Sequence, residues 1–92
     1  MLTESYVARN CVHLTARCQR CQHARNWFLW ASTVRDLARG RDALPWRLEK
    51  GDAYLCYPCH DCINHVRLVV PAALLQNWVF QIDVWDAIGA RR

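Results

Sequence analysis

Hydrophobic and polar residues alternate from Cys11 to Arg17, with Val12, Leu14 and Ala16 on one side and Cys11, His13, Thr15 and Arg17 on the other. A period of two predicts a strand with one buried face. The aromatic run Asn26-Trp-Phe-Leu-Trp30 reads as a second, buried strand. Thr33 and Asp36 then resemble a capping box, and Val34, Leu37 and Ala38 recur at helical spacing before Gly40. This predicts a short helix over about 32–39. Leu44-Pro-Trp-Arg-Leu48 is too short and too broken by Pro45 for a helix, and reads as a connector or an edge strand. After a turn at Gly51-Asp52, the runs Ala53–Tyr57 and His65–Val70 read as a hairpin.

Pro71 opens the last element, a helix over about 71–88, with Gly89 as its stop and Arg91 and Arg92 placed against the negative end of its dipole. Leu74, Trp78, Ile82 and Trp85 form one apolar stripe, and Leu75, Val79, Phe80, Val84 and Ile88 widen it far around the helix. A helix apolar over most of its circumference is buried on several sides, so Trp78 and Trp85 are candidates for an interface with another protein or a second copy. The sequence is read as having no internal repeat and no low-complexity segment. The whole predicts one α+β domain over 1–92: antiparallel strands, a short inserted helix and a C-terminal helix.

Composition changes this picture in one respect. The chain is 53% hydrophobic with five Trp, which excludes a disordered tail. Yet 92 residues build only a marginal core, and six cysteines point to reinforcement. The opening Met1-Leu-Thr-Glu-Ser-Tyr6 has neither a basic nor an apolar segment of a secretory leader, and the longest uncharged run, Leu68 to Ile82, is shorter than a membrane span. The expectation is a cytoplasmic protein without a membrane segment, in which cysteines serve as metal ligands rather than as disulfides.

Cys18-Gln-Arg-Cys21 gives one Cys-x-x-Cys pair, and either Cys56/Cys59 or Cys59/Cys62 gives the second. Each spacing lets the amides of a tight turn face the sulfurs while both sulfurs reach one metal. Cys59/Cys62 is favoured because it centres the turn between the two strands, with Asn64 where a left-handed residue is tolerated, whereas Cys56/Cys59 would enclose Pro58 and lose an amide. The candidate ligands are therefore Cys18, Cys21, Cys59 and Cys62, with Zn2+ as a structural cofactor. Cys56, His23, Cys11 and His13 remain alternative ligands, and Cys11, His13 and Cys56 with His60 or His65 offer a second site. Arg-Cys18-Gln-Arg-Cys21-Gln-His23 and Leu55-Cys-Tyr-Pro-Cys59-His-Asp-Cys62 resemble the knuckles of zinc-ribbon domains, and the arrangement is similar to small bacterial zinc-ribbon-like proteins over about 11–70. That resemblance implies a structural metal and a binding role. It departs from the pattern at Gln22 and Ile63, where a glycine commonly follows the knuckle.

Catalysis finds little support in the residues. Pro58-Cys59-His-Asp-Cys62 matches half of a zinc deaminase signature, but no histidine has a glutamate two places on. Neither cysteine pair opens a helix in a βαβ context, as thiol redox chemistry would require. The expectation is a non-enzymatic module acting in protein interaction or regulation. The alternative is nucleic-acid binding. Eight Arg against two Asp between Arg9 and Arg47 make the first half basic, and Arg17, Arg20 and Arg25 surround the first knuckle. A zinc tetrathiolate would lower the net charge of +4 to roughly +2 and weaken that argument.

Overall fold

A computed structural model describes residues 2–90. Met1, Arg91 and Arg92, and with them the expected contact of the two terminal arginines with the helix dipole, lie outside the described residues. The chain forms β1 (Leu2–Ala8), β2 (Cys11–Arg17), β3 (Ala24–Trp30), α1 (Ala31–Ala38), β4 (Arg47–Glu49), β5 (Asp52–Pro58), β6 (His65–Val70) and α2 (Ala72–Ala90). The fold is α+β. The strands make two antiparallel meanders, β1-β2-β3 and β4-β5-β6.

The alternation in β2 is realised residue by residue, with Val12, Leu14 and Ala16 buried. They join Leu29, Val34 and Leu37 from the first half, and Ala53, Leu55, Tyr57, Val66, Leu68, Val70, Leu75, Trp78 and Ile82 from the second, in one core. No helix among the described residues is long and apolar enough to cross a membrane.

Several expectations are corrected. Strand β1 is additional to the predicted elements. Its alternation is broken by a register shift between Leu2 and Glu4, which moves Leu2 and Tyr6 to opposite faces. Strand β3 forms, but only Leu29 is fully buried, and Phe28 and Trp30 project into solvent. Helix α1 starts at Ala31, so Thr33 lies inside it and no capping box forms; Trp30 is the N-cap, without a side-chain hydrogen bond. Gly40 does end it. At φ +83 it closes a left-handed cap in which the Gly40 amide bonds Leu37 O and the Arg41 amide bonds Asp36 O. Helix α2 runs through Gly89 to Ala90, so Gly89 is no stop; a Cβ there would meet the Arg9 guanidinium at 3.4 Å. Left-handed backbone falls at Gln22 (φ 66), not at Asn64.

The two halves share one plan. Adding 41 to a residue number carries Cys18 and Cys21 onto Cys59 and Cys62, β2 onto β5, and the start of β3 and of α1 onto those of β6 and α2. Burial follows the same shift: Leu14 and Leu55, Leu29 and Val70, Val34 and Leu75, Leu37 and Trp78 are all buried. Left-handed Asn10 falls on left-handed Gly51. In each half the first helical amide is satisfied from the entry to the middle strand, by the residue just before β2 and by the first residue of β5. Ala31 N–H donates to Asn10 O at 2.9 Å, and Ala72 N–H donates to Asp52 Oδ1 at 2.8 Å. The halves differ mainly at the helix, which is eight residues long in the first and nineteen in the second.

Because Asp52 supplies the N-terminal cap of α2 from the start of β5, Asp52→Ala should destabilise the protein by about 1 kcal/mol. The urea midpoint of the metal-loaded protein measures this, with Asp52→Asn expected to recover most of the loss.

Candidate metal centre

Each meander carries its Cys-x-x-Cys turn at the tip of its second hairpin, between β2 and β3 and between β5 and β6. The turns close with the same backbone bond: Cys18 N–H donates to His23 O at 3.0 Å, and Cys59 N–H donates to Asn64 O at 2.9 Å. Gln22 takes the left-handed conformation that glycine commonly supplies after a knuckle, and its amide donates to Cys18 O at 2.9 Å. This is how a glycine-free first turn still folds.

The four sulfurs of Cys18, Cys21, Cys59 and Cys62 all lie within 4.8 Å of one another. Cys18 Sγ is 3.6 Å from Cys62 Sγ, and Cys21 Sγ is 3.5 Å from Cys59 Sγ. The 41-residue shift exchanges these two contacts, so the cluster sits where the halves meet with equivalent roles. A metal bonded to four thiolates at about 2.3 Å requires sulfurs about 3.8 Å apart. The cluster has the donor chemistry and the spacing of a tetrahedral tetrathiolate site and is compatible with a structural metal. It leaves no position for a fifth ligand or a water.

Electrostatics around the sulfurs favour anions in part. The Asn64 amide donates to Cys18 Sγ at 3.4 Å, and with the Cys21 and Arg20 amides it holds the Cys18 thiol down to about 6, against the effect of its burial. The His23 amide acts likewise on Cys21, but desolvation and the neighbouring sulfurs outweigh it and push that thiol up to about 12. Cys62 shows the same pattern: the Asn64 amide favours the thiolate, while burial and Cys18 raise the pKa. One sulfur ionises readily and its neighbours then resist, which is the behaviour of a cluster that needs a cation to charge fully.

The alternative ligands lie elsewhere. Cys56 is exposed on β5, paired in register with Arg67 rather than turned towards the cluster. His23 is turned to the second knuckle, its Nδ1 2.6 Å from Asp61 Oδ2, a contact across the two turns rather than a ligand position. Cys11 and His13 touch each other, Sγ to Nε2 at 3.4 Å, on the outer face of the first sheet. Among the described residues no third metal-binding group joins them, so the second site is not assembled.

Other candidates separate by burial. Arg17 donates to Gln22 O at 3.0 Å, and Arg20 is exposed at the knuckle tip. Arg25 instead stacks over Trp27 and Tyr57, 4.2 and 5.0 Å from their ring centres, and serves packing. Trp78 is 1% exposed and belongs to the core, which removes it from any interface, whereas Trp85 is 40% exposed. Sequence reasoning missed the outer face of the first sheet, where Tyr6, Phe28 and Trp30 are exposed; once β1 and β3 flank β2, their alternation is the signal that marks it.

The chain matches no family model, no curated protein and no solved structure.

Proposed function

We propose that this protein is a non-enzymatic, zinc-stabilised interaction module of zinc-ribbon type that docks onto another protein through the far end of α2. The observation that carries this reading is the helix extension beyond residue 79, which has no counterpart in the first half. Its inner side is anchored by fully buried Ile82, while Phe80, Val84, Trp85 and Ile88 lie exposed along its outer side. Arg35 grips Asp83 and Asp86 at 2.8 and 2.7 Å and fixes the extension against α1, so the apolar stripe is presented on a rigid support. Clustered aromatic and aliphatic side chains on a rigid element are the usual anchors of protein interfaces. Zn2+ suits four thiolates, and with all four positions taken by protein its role is structural.

Native mass spectrometry of the purified chain, with sedimentation across a concentration series, tests both parts. One zinc per chain and a dimer abolished by Phe80→Glu would support the reading, with a second copy as the partner. A zinc-bound monomer would exclude the second copy and assign the stripe to a different protein. A folded chain that takes up no metal, or one that holds iron, would overturn the cofactor assignment.

A further inference from the structure

The first sheet presents to solvent a face with three exposed aromatic side chains. Along β2 the outward positions are Cys11, His13, Thr15 and Arg17, and the strand register puts neighbours beside each. Trp30 flanks Cys11, Tyr6 and Phe28 flank His13, and Glu4 and Asn26 flank Thr15. Tyr6 stacks on His13 with ring centres 4.8 Å apart and planes within 6°, and Phe28 meets His13 edge-on at 4.3 Å. Tyr6, Phe28 and Trp30 are each about 60% exposed or more. A hollow of about 330 Å³ opens beside Tyr6 and Phe28, with Tyr6, His13 and Phe28 as aromatic lining and Glu4, Thr15 and Asn26 as polar lining. Thr15 Oγ1 lies 2.9 Å from Asn26 Oδ1 and 3.5 Å from Glu4 Oε1, so hydroxyl, amide and carboxylate form one polar row on the same face. The corresponding surface of the second sheet also carries a hollow, of about 250 Å³, but its lining is mostly charged rather than aromatic, with Arg67 stacked over Tyr54 and bonded to Glu49 at 2.7 Å.

We infer that the outer face of β1-β2-β3 binds single-stranded nucleic acid, seating an unpaired base in the hollow beside Tyr6, His13 and Phe28. Flat rings set on neighbouring strands stack against bases, and a carboxylate and an amide beside them meet the donors and acceptors of a base edge. Trp30, one row along the sheet, offers a second stacking surface, so the site takes a strand rather than one nucleotide. Arg17 ends the outward row of β2, bonded to Gln22 O, and exposed Arg20 follows in the adjoining knuckle turn; the two add positive charge suited to backbone phosphates. The far end of α2, with Asp83 and Asp86 among its apolar residues, lacks this chemistry, which separates the two surfaces. This inference therefore stands apart from the docking role of α2.

The test is fluorescence anisotropy of the zinc-loaded 92-residue chain with labelled single-stranded RNA and DNA of about ten nucleotides. Tyr and Trp emission is followed in parallel, and metal content and circular dichroism serve as controls of folding. The expected result is saturable binding with quenched emission. Phe28→Ala should weaken it about tenfold, and Phe28→Tyr, which keeps the ring, should restore it. The slope of log affinity against log salt should be about −1.4 for two phosphate contacts, falling by about 0.7 in Arg20→Gln. Absence of binding would overturn the inference. So would duplex bound as tightly as single strand, or affinity indifferent to Phe28→Ala in a folded variant. A free nucleoside monophosphate bound as tightly as the oligonucleotide would overturn the assignment to a strand.

Discussion

Stripping zinc from the loaded protein with a strong chelator should abolish its cooperative thermal transition, and returning one equivalent of zinc should restore it. Structural zinc sites contribute on the order of 10–16 kcal/mol at neutral pH in small domains. Net stabilities of whole domains are about 5–15 kcal/mol. The first figure is as large as the second, so a core of this size is not expected to survive the loss. Geometry adds to the argument, because the four sulfurs join the hairpin tips, while α1 and α2 pack through Val34, Leu37, Leu75 and Trp78. Cys21→Ser should behave like the chelated protein. Acid should act in the same direction, because protons compete with the metal for sulfur, so metal release rises as pH falls. Circular dichroism melts with and without chelator, repeated from neutral to acid pH, measure this. A transition unchanged by chelation would show that the core stands by itself.

Trp78→Ala should be the most damaging substitution outside the cysteines, at about 3–5 kcal/mol, because it removes the largest fully buried side chain and leaves a cavity. Trp85→Ala, seven residues further along the same helix, should cost about 1 kcal/mol or less, since two-fifths of that residue is already in water. Urea titrations of both variants in zinc give the contrast. Equal losses would mean that the outer side of α2 is part of the core and would remove it as a docking surface. The same pair, measured for association, should show the reverse order: Trp85→Ala weakens an interface, and Trp78→Ala acts only through folding.

That contrast also shows where the sequence stops being informative. Helix α2 is apolar around most of its girth, so the spacing of its residues does not separate Trp78 from Trp85; only the placement of α1 and the sheets does. The cysteine turns were legible because their spacing states their geometry, and Pro58 and the flanking strands were enough to prefer Cys62 over Cys56 as the neighbour of Cys59. Strand β1 was hidden by the register shift near Leu2 and Glu4, since period two is the signal by which a strand is recognised. The shared plan of the halves was hidden for another reason. Between 11–38 and 52–79 the aligned identities are the two cysteines, Leu14 with Leu55, and Ala31 with Ala72. What is kept is burial, hydrogen bonding and backbone conformation, which the folded chain displays and a string of letters does not. Aromatic residues bury well, so the aromatic run 26–30 predicts a buried strand, yet a three-stranded sheet with one covered side must leave alternate positions of β3, Phe28 and Trp30 among them, in solvent.

The repeated plan has a mechanical consequence. Each half keeps its own sheet, turn and helix within a contiguous stretch of chain, and the connector from Gly40 to Trp46, with Leu44 three-quarters exposed, is the only covalent link between them. A protease that nicked this connector would therefore leave two peptides clasped by shared sulfurs and interlocked helices, and the cut would pass unnoticed until the clasp was opened. Continuity of the backbone and continuity of the folded body are, in this molecule, separate properties.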